Sequence, residues 1–177
     1  MIINFKNNKK KYFYFPILKG MIIDVLLIII FFLYKKNIDI GVLKHMLITA
    51  FLFSLFLYKI PLLIILINYL KYSESKDFYI IKEENKIIFK FPKKKEDFFY
   101  SDIKNIETYL PIPKYEKRMT WLFWDNCFYY KIILKNNKSY YITCLNCDNL
   151  FDFIPDEKNI RKKWLFPIII PCCRSNA

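Results

Sequence analysis

Cys144-Leu-Asn-Cys147 is the spacing in this chain best suited to chemistry. Two cysteines separated by two residues make either a redox dithiol or half of a tetrahedral zinc site. Each use needs a setting that the sequence withholds. A thioredoxin-type dithiol needs a βαβ context to activate its thiol, and the residues around Cys144 alternate as strands do. Zinc needs two further spaced ligands, yet Cys172 and Cys173 are adjacent and the single histidine, His45, lies far upstream beside an apolar block. The cysteines therefore read as reduced structural thiols. Gly20 and Gly41 are the only glycines, so no P-loop, Rossmann fingerprint or glycine-rich phosphate cradle can form after residue 41. Histidine is missing after residue 45, which removes Ser-His and Cys-His nucleophile systems from the domain. The acids are scattered, with no D-x-D pair for magnesium. We expect no enzyme, no cofactor and no metal.

Two basic clusters are better candidates for binding than for catalysis. Lys93, Lys94 and Lys95 follow a strand-like run, and near anionic headgroups each lysine would gain about 1 kcal/mol. The acidic Glu83-Glu84 sits in the preceding turn, where a phosphoinositide pocket would need positive charge, so a solvated charged loop is the plainer reading. The second cluster is Lys114-Tyr-Glu-Lys-Arg-Met-Thr-Trp-Leu-Phe-Trp124. Lys117 and Arg118 beside Trp121 and Trp124 suit a protein-binding or membrane-dipping loop. They also suit a strand of alternating burial, and we favour packing in the core or against the membrane. Aromatic and basic residues together also fit single-stranded nucleic acid, but no nucleic-acid module is present and no such partner is expected.

These clusters must be held by elements of two kinds. Hydrophobic residues make up 55% of the chain and aromatics 20%, and the long apolar blocks all precede residue 71. The first block, 16–34, spans about 28 Å as a helix, close to the ~30 Å hydrocarbon thickness. The second, 46–70, is longer and carries Pro61 as a kink point. Tyr12 to Phe15 at one edge and Tyr69 and Tyr72 at the corresponding edge of the second block resemble an interfacial aromatic belt. Tyr34-Lys-Lys-Asn follows the first block where a cleavage site would need small residues, so an uncleaved anchor is expected. Lysines at both flanks outweigh Lys35, Lys36 and Lys44 in the connection. That bias predicts a multi-pass protein of the inner (plasma) membrane with both termini cytoplasmic. Asp24 and Lys59 lie at matching depths of about 12 and 16 Å. An isolated charge there costs at least ~2.5–3.5 kcal/mol, so an Asp24–Lys59 pair that fixes hairpin register is expected. The net charge of +13 is shared by both halves. It favours anionic lipid, although codons of an AT-rich genome would enrich Lys, Ile, Asn, Phe and Tyr without any such selection.

After residue 71 the pattern changes to short strands. Phe78–Lys82 and Ile87–Phe91 read as a hairpin, Phe98–Tyr100 and 101–110 as further strands, and Phe128–Lys135 with Ser139–Thr143 as a second hairpin around Asn136-Asn-Lys138. Asp148–Ile154 reads as a short helix stopped by Pro155. The order of two helices, FYII and KIIFKF (78–91), Tyr100-x-Asp-Ile-x-x-Ile106, YYKIILKNNKSYYIT (129–143) and NLFDFI (149–154) resembles the bacterial pleckstrin-homology-like domains of small two-helix membrane proteins, including the YcxB-like group, over about residues 10–155. The resemblance implies a β-rich, partly open barrel closed by a short C-terminal helix, without catalysis. The aromatic stretch 111–126 and a tail after residue 158 depart from that pattern.

The expected organisation is a basic cytoplasmic tail (1–15), a transmembrane hairpin (16–70), a pleckstrin-like domain (71–158) and a basic, apolar tail (159–177). In the tail, Arg161-Lys-Lys-Trp-Leu-Phe suits an interfacial anchor or a strand completing the domain. The leading functional expectation is a membrane-anchored interaction module binding a protein partner or anionic lipid headgroups. An accessory subunit of a larger transport or secretion complex is the first alternative, and a membrane thiol oxidoreductase the second.

Overall fold

The apolar blocks fold as helices, but not with the boundaries that hydrophobicity suggests. A computed structural model describes residues 2–4, 10–34, 40–72, 77–81, 83–90, 95–152 and 154–170. Helix α1 is Phe15–Tyr34, entered through a π-turn at Lys10–Tyr14. The next run is α2 (Ile40–Ser54), a π-turn at Leu55–Lys59 and α3 (Ile60–Tyr72). Proline at 61 has no N–H, and its ring crowds the carbonyl four residues earlier. The preceding turn widens instead of breaking, and Ile60 N–H donates to the Leu55 carbonyl, five residues back. The strain expected at Pro61 is thus absorbed one turn upstream.

Among the described residues one helical run, Lys11–Ile30, is long and apolar enough to cross a membrane. The second block differs from expectation at both ends. Its helix starts at Ile40 rather than Met46, and α3 is partly a core helix. Leu62, Ile65 and Tyr69 are fully buried, while Leu63, Ile64, Ile67 and Leu70 are exposed. The buried set recurs at helical spacing and forms one face. Hydrophobicity conceals that face because the opposite face is apolar too.

The β domain consists of two four-stranded sheets. The first has the order β1 (Ile2–Asn4), β2 (Asp77–Ile81), β3 (Lys86–Lys90) and β4 (Lys95–Phe99), all antiparallel. The start of the presumed basic tail is therefore an edge strand, with Ile2 opposite Ile81 and Asn4 opposite Tyr79. The second has the order β7 (Ser139–Thr143), β6 (Tyr129–Leu134), β5 (Ile103–Pro111) and β8 (Asn159–Trp164). Strand β8 runs parallel to β5, so the first part of the presumed tail completes the sheet. The expected closing helix is a single 3-10 turn at Leu150–Asp152.

The sheets do not close into a continuous barrel. They meet through side chains, with Phe89, Phe98 and Tyr140 stacked at 5.0–5.7 Å between centroids. Ile80, Ile87, Ile106, Ile132 and Ile142 fill the core around that stack. With no glycine in the domain, tight turns use other residues at positive φ: Asn85 (50°), Lys117 (54°) and Asn137 (61°). Asparagine tolerates this region because its short amide can hydrogen-bond locally, whereas lysine gains nothing comparable.

Candidate apolar binding groove

The segment after β5 builds one wall of an apolar groove. Helix α4 (Ile112–Tyr115) ends in a double-bonded cap: Arg118 N–H donates to the Pro113 carbonyl at 2.8 Å, and Lys117 N–H donates to that of Lys114 at 3.4 Å. That pattern places Lys117 where glycine is normal. Eight residues on, the buried carboxylate of Asp125 accepts from the backbone N–H groups of Trp121 (3.1 Å) and Leu122 (2.9 Å). The loop is therefore fixed from inside, and its apolar side chains point out. Trp121 is 79% exposed and Met119 72% exposed, with Leu165 beyond β8 at 76%. Trp124 turns back instead and meets Phe166 edge-on at 5.9 Å.

Between this loop and α3 lies a groove of about 640 Å³ lined by Pro61, Ile64, Ile112, Pro113, Trp121, Leu122, Trp124, Asp125, Leu165 and Phe166. Among the described residues Asp125 is its only ionisable lining residue, and the loop backbone already bonds Oδ2 of that carboxylate. Arg118 and Lys163 both pair with Glu116 beside the groove. The hydrogen bond from Lys163 leads in holding the Glu116 carboxyl below its usual range.

The helices are pinned to the domain by adjacent residues of one strand entry. Tyr12 packs edge-on against Phe128 at 6.1 Å, and Tyr69 against Tyr129 at 6.2 Å. Both tyrosines are buried, at 6% and 1% exposure, so they are domain core and not an interfacial belt; Tyr14 and Phe15 remain exposed. Lys11 pairs with Asp148 at 2.5 Å. Asn68 locks α3 to the chain end, donating to the Ile169 carbonyl (3.1 Å) and accepting from Ile169 N–H (2.8 Å). Lys114 Nζ sits 3.4 Å from the Phe128 ring centroid. Burial there drives its pKa down to about 8. Further along the helices, Lys59 Nζ donates to Asp24 Oδ2 at 2.7 Å.

A family model described as a PH domain matches residues 3–150, a span that runs from β1 through both helical runs to Leu150. The chain belongs to the PH-domain family. No curated protein and no solved structure matches it. PH domains commonly bind lipid headgroups or proteins, so membership supports an interaction module at that coarse level.

On this PH domain the sequence-derived candidates fall into separate groups. Lys117, Arg118, Trp121 and Trp124 share the groove loop, although Trp121 is exposed and the segment is a capped loop, not a strand of alternating burial. Lys93 and Lys94 lie outside the described residues, as do Cys172 and Cys173. Lys95 opens β4 and borders a polar groove of about 410 Å³ with Lys135 and Lys138, but Glu96, Asp97 and Asp102 line it too. Its charge is mixed, and Tyr140 hydroxyl bonds Glu96 within it. Cys144 and Cys147 are buried, and burial pushes the Cys147 thiol up to about 12. A reactive dithiol needs the opposite shift. Among the described residues no group of three His, Cys, Asp or Glu can share a metal ion. Of the other groove residues, Ile112, Pro113, Leu122 and Asp125 fall in the aromatic stretch 111–126 and Leu165 and Phe166 in the basic-then-aromatic 161–166, while Pro61 reads in the sequence only as a kink point and Ile64 is missed.

Proposed function

We propose that this PH-family protein is a non-catalytic, membrane-anchored interaction module of the YcxB-like two-helix kind. Helix α1 and the α2–α3 run enter the plasma membrane as a hairpin. The β domain stays at the cytoplasmic face, and the Trp121 loop meets the headgroup region. The reading is carried by the pairing of β1 with β2. The apolar helices are an excursion between two hydrogen-bonded neighbours, so the chain returns to the side from which it left. A helix pair satisfies that condition, and a single crossing does not.

The exposed faces support the same reading. Leu18, Met21, Ile22, Val25 and Leu26 on α1, with Phe51, Leu52 and Phe53 on α2, are exposed. An apolar surface of this extent marks a membrane or protein contact. It continues along α3 to the groove loop, where Lys117 and Arg118 suit an anionic surface. The test is a variant retaining only Trp121, reconstituted in vesicles of brominated phosphatidylglycerol. Strong quenching together with resistance to carbonate extraction is expected. Extraction by carbonate would overturn the anchor, and unquenched Trp121 in an inserted protein would overturn the headgroup contact. Recovery of a stoichiometric membrane partner in mild detergent would favour the accessory-subunit reading.

A further inference from the structure

We infer that the groove beside α3 holds one acyl chain of an anionic phospholipid, whose headgroup rests on the basic residues next to it. This deepens the membrane-anchored reading and depends on it. The groove's volume of about 640 Å³ lies within the roughly 300–1,000 Å³ of small-molecule sites. Its lining offers a polar ligand little, because it is almost wholly apolar and Oδ2 of Asp125 already accepts from Trp121 and Leu122 N–H. An apolar occupant loses nothing on entering and removes Trp121 and Leu165 from water.

Two observations choose a lipid over other apolar occupants. The first is continuity: the wall formed by Pro61 and Ile64 follows directly on Phe51, Leu52, Phe53 and Phe56 at the end of the α2 run, which are exposed and apolar too. A chain leaving the bilayer along that run would reach the groove over apolar side chains. The second is charge. Lys117 and Arg118 on the loop and Lys163 on β8 flank the groove, and Glu116 offsets only part of that charge. A phosphate at that rim would meet net positive charge.

The experiment uses the full chain in phosphatidylcholine–phosphatidylglycerol vesicles. They carry a trace of phosphatidylglycerol with a diazirine on one acyl chain, and labelled sites are read by peptide mass spectrometry. Adducts are expected at Trp121, Leu122 and Ile64 besides those on the outer face of α1. Ile64→Trp, which fills the groove, should reduce the groove adducts; losing burial of two methylenes corresponds to about tenfold in occupancy. Adducts at Val25 and Leu26 should not change. Leu165→Asp attacks the same site from the other wall and serves if Ile64→Trp does not fold. A phosphatidylcholine probe that labels the groove equally would overturn the anionic preference. Adducts confined to α1 and α2 would overturn the groove site while leaving the anchor intact. A protein that carbonate extracts and the probe does not label would overturn the anchor itself. A second protein that copurifies in stoichiometric amount and abolishes the groove adducts while it stays bound would overturn the lipid in favour of a protein occupant.

Discussion

At the scale of single residues, charge placement gives the sharpest expectations. Asp24 and Lys59 are 2.7 Å apart on apolar helices. Removing one partner strands the other charge, so Asp24→Asn should destabilise the protein by on the order of 3 kcal/mol. The double variant Asp24→Leu, Lys59→Leu should recover most of that loss. Thermal unfolding of all four members of the cycle in one detergent measures both effects. Lys114 gives a pH signature of opposite origin. Its folded pKa of about 8 lies below its ordinary 10.5, so above pH 8 the unfolded chain binds more protons at this site. Its contribution to stability is therefore fully unfavourable below pH 8 and is relieved as pH rises towards 10.5. Lys114→Met should remove that rise and stabilise the protein at pH 7 by on the order of 2 kcal/mol. The difference between variant and parent in unfolding free energy across pH 7–10.5 isolates the effect from Cys127, Cys144, Asp148 and Lys11, which surround the amine.

At the scale of elements, the groove loop is under tension at one end and clamped at the other. Lysine at φ 54° carries a left-handed conformation that glycine adopts freely. Lys117→Gly should accordingly stabilise the protein by about 1 kcal/mol. Asp125→Ala leaves the partly buried N–H groups of Trp121 and Leu122 without their acceptor and should cost about 1–3 kcal/mol; denaturant midpoints check both variants. How far the sequence revealed each element follows from where its stabilisation arises. The β6–β7 hairpin was legible because aromatic and β-branched runs flank Asn136-Asn137, and Asn137 takes the left-handed turn position. Strand β8 was ambiguous because Asn-Ile-Arg-Lys-Lys-Trp lacks a two-residue apolar rhythm; backbone pairing to β5 holds it. The dual nature of α3 was hidden by apolar residues on every side. The groove loop was visible as a cluster, but its opposing wall of Pro61 and Ile64 comes from a distant helix that no local pattern connects to it.

At the scale of the whole molecule, the sheet with β1 at its edge organises everything else. Asn4 lies opposite Tyr79, and opposed residues in antiparallel strands are close enough for a disulfide. Asn4→Cys with Tyr79→Cys should therefore crosslink on oxidation and stabilise the fold by about 4 kcal/mol, as expected for closing so long a loop. Non-reducing electrophoresis after proteolysis between the two positions checks the bond. The same pairing also imposes an order on synthesis. Strand β1 leaves the ribosome well before its partner β2, and both helical runs are made in between. Until β2 emerges, the β1 backbone has no sheet edge to join, so both helical runs are made while the first sheet is still incomplete. The domain can then finish assembling only after both helix ends, seated on Phe128 and Tyr129, have been brought back together.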